Sequence, residues 1–147
     1  MFEAVKARLA DIAALERRIQ PAASLSELIA QNRLPQVTPA AFILPLGLRG
    51  GRADAATGIY RQSIAEMLGV VLILRSAGDA TGAKSADALT PLRNAVIDRI
   101  VGWAPTSGWN GSETIGVFTL SRGELISMSA GALVYQLDFS VDDQVRI

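Results

Sequence analysis

The chain contains no cysteine and no histidine. Those two absences exclude a disulfide, a zinc site of thiolate or imidazole ligands, a thiol nucleophile and a Ser-His-Asp triad. A metal would have to be held by carboxylates alone, and no tight carboxylate cluster stands out. Net charge is absent as well: 14 Lys and Arg balance 14 Asp and Glu. No positive field therefore draws the chain to nucleic acid or to an anionic membrane. No basic stripe with interleaved aromatics is present, and aromatics are only 5% of the residues. The apolar run at 70–74 is far short of the ~20 residues a membrane helix needs. The start, Met1-Phe2-Glu3-Ala4-Val5-Lys6, mixes acids and bases in an amphipathic pattern. It lacks the basic patch and unbroken apolar run of a signal peptide, so synthesis in the cytoplasm is the default expectation.

Apolar residues, by contrast, are abundant. Half the chain is hydrophobic and 19% is charged, which opposes disorder. A length of 147 residues fits one domain with a self-sufficient core. The apolar surplus points to buried subunit contacts, because obligate interfaces resemble a core cut in half.

Residues 59–75 organise the pattern. The second half, Val70-Val71-Leu72-Ile73-Leu74, suits a strand covered on both faces. The first half has no clean apolar face, and a helix through Tyr60, Ile64, Met67, Leu68 and Val71 fits almost as well. The preferred reading is one long strand that starts in solvent or at a subunit contact and ends in the core. Gly69 is its expected bulge or bend.

Around this stretch, Phe2, Val5, Leu9, Ile12, Leu15 and Ile19 recur at helical spacing, so an amphipathic helix is expected over 2–19, ended by Pro21. Ser24 and Glu27 have the capping-box form ahead of a short helix over 25–31. Pro35 and Pro39 hold the chain extended before a first strand at 40–46, which Pro45 confines to an edge or ends. Residues 47–58 read as a polar glycine loop carrying Arg49, Arg52 and Asp54. Residues 76–86 read as a second glycine loop, with Asp79 and Lys84. A second long helix is expected over 87–102, with Thr90 and Pro91 as an alternative start and Gly102 as its stop. Trp103 is expected to anchor the core. Trp109 stands alone as a large aromatic in a polar loop, 106–114, and such a residue often marks a contact. A meander closes the chain: strands at 115–121 and 125–128 about a turn at 121–124, then a cleanly alternating strand from Leu133 to Val141. Residues 142–147 are expected to be peripheral. The fold class is α+β, a two-layer sandwich of a mixed or antiparallel sheet with two main helices on one face.

The search for chemistry finds no catalytic constellation. Glu66, Asp79, Asp87, Asp98, Glu113, Glu124 and Asp138 form no paired motif, and Ser63 and Ser127 lack a base. The loop from Gly78 to Ser85 lies between strand and helix, where phosphate loops lie. It departs from a Walker loop: only three residues separate Gly78 and Gly82, and Ala83 displaces Lys84-Ser85. A small-molecule or nucleotide-binding domain using that loop remains the competing reading.

One resemblance covers nearly the full length, as an order of features. An N-terminal amphipathic helix leads to Ala41-Phe42-Ile43-Leu44-Pro45-Leu46. A loop leads to Ile59-Tyr60-Arg61-Gln62, running into Gly69-Val70-Val71-Leu72. A Leu-x-x-Leu-Arg helix (Leu89 to Arg93) exits through Val101-Gly102-Trp103-Ala104-Pro105, and the last strand carries Tyr135-Gln136-Leu137-Asp138-Phe139. In this order the chain resembles the tail terminator and tail completion proteins of long-tailed bacteriophages. The resemblance implies a structural virion protein, not an enzyme, with no cofactor. It implies a homohexameric ring at the neck-proximal end of the tail tube, assembled in the host cytoplasm, with the tube protein and a neck protein as partners. Genome DNA would be passing cargo only, and no membrane is involved. A head-tail connector or a tube subunit is the near neighbour of this reading. Arg49, Arg52, Asp54, Tyr60, Gln62, Glu66, Asp79, Lys84 and Trp109 are the candidate assembly contacts.

Overall fold

The structure, a computed structural model, describes residues 1–55, 58–75, 83–105, 116–129 and 131–146. Its elements run α1 (Phe2–Leu9), a 3-10 turn (Ala13–Leu15), β1 (Ile19–Pro21), α2 (Ala22–Ala30), β2 (Ala40–Asp54), β3 (Arg61–Arg75), α3 (Ala83–Ile100), β4 (Thr119–Ser129) and β5 (Ala132–Arg146). One five-stranded sheet has the order β1-β2-β3-β5-β4. β1 pairs in parallel with β2, and the other contacts are antiparallel. The class is the α+β sandwich that the pattern predicts, with a mixed sheet.

β3 is the axis of the fold. Its even-numbered residues Leu68, Val70, Leu72 and Leu74 join Val5, Leu9, Val96, Ile100 and Phe139 in the main core, under α1 and α3. Its odd-numbered residues Val71 and Ile73 join Ala40 and Phe42 in a second cluster, under Leu25 and Leu28 of α2. The short apolar run is therefore covered on both faces, as its composition requires. α2 adds a partial third layer that the two-layer reading does not include. The first half of β3 is exposed or half-buried except Ile64.

The two main helices meet at their C-terminal ends. Arg8 Nε donates to the Arg99 carbonyl (2.7 Å) and Arg99 Nε donates back to the Arg8 carbonyl (3.3 Å), while Arg99 also pairs with Asp11. Each guanidinium thus satisfies a terminal carbonyl of the other helix, where positive charge is favourable. Arg8 lies over the Trp103 ring, 5.2 Å from its centroid, and Trp103 stacks on Phe118 at 5.7 Å. Trp103 is the core anchor expected, just past Gly102, whose φ of 83° ends the helix.

Several boundaries differ from those the sequence suggests. The helix over 2–19 stops at Leu9, yet Ile12, Leu15 and Ile19 still pack on the main core. Ile12 is extended and Arg17 has φ 60°, because Ile19 must leave the helix to pair with Ala41. α2 starts at Ala22 with Pro21 as N-cap and no side-chain cap, so Ser24 and Glu27 form no capping box. Residues 47–54 are strand, not loop, since the first half of β3 gives them a ladder partner. Gly69 is regularly paired with Leu44 and Asp138; the bulge falls on β2 between Pro45 and Gly47. α3 begins at Ala83 and carries Pro91 inside it, so Thr90-Pro91 is no helix start. The turn at 121–124 is likewise strand: β4 is continuous, and Gly123 pairs with Leu137. A Cβ on Gly123 would stand 2.8 Å from the Tyr135 hydroxyl, the tip of a side chain that can move aside. Residues 142–146 are not peripheral, because β5 runs beside the whole of β3 and Asp143 is only 6% exposed.

Candidate assembly surfaces

Beyond the helix-covered body, β2, β3 and β5 continue as a three-stranded arm. It comprises residues 45–54, 61–67 and 140–146. Residues 45–54 are exposed throughout. Arg49, Arg52 and Asp54 therefore stand in a strand on the arm's outer edge, not in a loop. Tyr60 lies in the turn, and Gln62 and Glu66 lie on the β3 face that further along carries the main core. The Tyr60 hydroxyl donates to Gln62 Oε1 at 2.9 Å, and Gln62 Nε2 donates to the Gly51 carbonyl at 3.3 Å. These contacts brace the arm at its β2–β3 irregularity between Gly50 and Ala53. Six of the nine predicted contacts thus lie in this arm or its turn, where the Gln62 side chain ties the strands together.

The other three are elsewhere. Lys84 is exposed in the first turn of α3. Asp79 and Trp109, with most of their loops, lie outside the described residues. Ser85, beside Lys84, is 2% exposed and its hydroxyl donates to the Gly131 carbonyl at 3.5 Å, so it is not presented to a phosphate.

Sequence reasoning missed two surfaces. Among the described residues β4 has no strand on its outer side, and it exposes Leu120, Leu125, Ile126 and Met128; reading 121–124 as a turn hid this edge. An apolar groove of about 320 Å³ lies between α2 and the sheet, lined by Leu25, Leu28, Leu34, Val71, Ile126 and Val134. The one signal for either was the short apolar strand expected at 125–128, which the supposed turn separated from Leu120. Among the described residues, no three acidic groups gather to hold a metal and no buried side-chain polar atom lacks a partner. The arrangement suits protein contact: extended strand edges, exposed aliphatic side chains and a braced arm.

Those features define a class, the subunit that works through its surfaces. The chain belongs to the phage tail terminator protein family, whose profile matches residues 1–147, and it is by that membership a structural protein of a phage tail. The solved structures include a chain from the virion of a native gene transfer agent (GTA) particle. It is similar over 99% of this chain and 95% of that chain, with a TM-score of 0.54 and 15% identity. At that identity the likeness shows the fold alone. No curated protein matches the chain.

Proposed function

We propose that the protein forms a ring, a hexamer, on the head-proximal end of the tail tube, where it stops tube polymerisation and joins the tail to the neck. The observation that carries this reading is the family match over the whole chain. The fold supports it through two chemically different ends. One is the arm with Arg49, Arg52, Asp54, Tyr60, Gln62 and Glu66; the other is the helix-covered body. A terminator needs one surface for the last tube ring and another for the neck, and a single α+β body with a projecting arm supplies both. The protein acts by binding and carries no catalytic role; the tube protein, a neck protein and further copies of itself are its partners.

Disruption of the gene tests the reading. Electron microscopy is expected to show overlong tubes and tails unattached to heads, and native mass spectrometry of the purified protein or tail ends a hexamer. Tails of normal length that still join heads would sink it.

A further inference from the structure

Each outer edge of the sheet offers a length of strand with no described strand beside it. β1 pairs only with Ala41, Phe42 and Ile43 of β2, which leaves residues 44–54 open on their outer side. β4 pairs with β5 on one side only. Both open stretches are eleven residues long. The β4 edge is apolar, with Leu125, Ile126 and Met128 47%, 52% and 48% exposed, and the β2 stretch adds Leu48, 57% exposed, among glycines and arginines. Long open strand edges are templates for another chain. We propose that their occupant is a second copy of this chain, with β4 of one protomer lying antiparallel along residues 47–54 of the next, so that the sheet continues from subunit to subunit.

Direction supports this occupant. β2 to β3, β3 to β5 and β5 to β4 are all antiparallel, so β4 runs opposite to β2. A neighbour set beside the first in the same orientation therefore presents β2 antiparallel to β4, like the three contacts within the protomer. The two edges lie on opposite sides of one sheet, so the contact is head-to-tail and repeats, which closes a ring when the rotation allows.

Stagger supports it too. The paired stretch 47–54 is centred beside Gly50, which lies opposite Ile64 and through it Asp143. The centre of β4, Glu124, lies opposite Gln136. With the centres matched, the edges are offset by seven residues along β5, roughly 23 Å at ~3.3 Å per residue, across four strands that span roughly 19 Å at ~4.8 Å. The strands are then steeply inclined, as a sheet that closes on itself requires. Pro45 has no N–H and the β2 bulge falls between Pro45 and Gly47, so pairing starts at Gly47.

The inference rests on the ring reading, and cysteine cross-linking separates the two. The chain has no cysteine, so every thiol is an introduced one. Within one protomer the two edges are three strand spacings apart, about 14 Å, too far for a disulfide, which needs Cα atoms within ~7 Å. Particles are assembled with a panel pairing Leu48→Cys or Arg52→Cys with Leu120→Cys, Leu125→Cys or Met128→Cys, then oxidised and run on non-reducing gels. At least one pair is expected to give a ladder of disulfide-linked multimers, with each single variant monomeric. The chain present in particles but monomeric in every pair would overturn the edge contact and leave the ring reading standing. Its absence from particles would overturn both.

Discussion

Gly51 shows how closely the arm is built. A Cβ there would stand 3.0 Å from the Ser63 carbonyl oxygen and 3.2 Å from its Cβ. Because backbone cannot step aside as a side chain can, Gly51→Ala is expected to open the ladder around Gly50 and Ala53. Hydrogen exchange at 61–64 should accelerate while the global unfolding free energy changes by under about 0.5 kcal/mol, since local opening is not tied to the core. Phe139 is the opposite case, fully buried in the main core. Phe139→Ala is expected to cost about 3–5 kcal/mol in urea unfolding, from lost transfer energy and the cavity left behind. The sequence tells these residues apart unevenly. Phe139 sits in a clean period-2 pattern, so its burial is legible. The need for glycine at Gly51 is set by a partner that only pairing brings near, the Ser63 backbone.

Elements were legible where one face meets the core. The stripe Leu89, Leu92, Val96 and Ile100 is buried as read. The boundary failed at Pro91, because α3 tolerates inside it a residue that usually opens a helix. Pro91 gives no N–H to the Asp87 carbonyl and is exposed, so Pro91→Ala loses no packing. It is expected to stabilise the protein by about 1–3 kcal/mol, read as a higher melting temperature. The outer half of β2 was illegible for a different reason. With residues 45–54 exposed throughout, no apolar alternation marks it, and its glycines and arginines look like loop. What makes it a strand is β3, not its own sequence.

At the scale of the molecule, the proposed ring gives body and arm separate tests. Val71 is 3% exposed between α2 and the sheet, and Val71→Asp is expected to abolish the native circular dichroism spectrum by burying an unpaired charge. Tyr60→Ala and Gln62→Ala remove only the arm's bracing hydrogen bonds. Both are expected to keep the native spectrum while size-exclusion chromatography and particle incorporation report weaker assembly. An unfolded Gln62→Ala would contradict that division.

The position of β5 carries a consequence for the order of folding. The strand that follows every other element in the chain occupies the interior of the sheet, between β3 and β4. Its ladder joins residues 57 to 85 positions apart, from Arg75 with Ala132 to Arg61 with Arg146. Pairings so distant in sequence close slowly, whereas the β2–β3 hairpin is local and forms first. A chain still leaving the ribosome therefore holds β3 with one side unpaired until its last strand emerges. The native sheet, and with it any surface that depends on all five strands, is complete only once β5 has emerged.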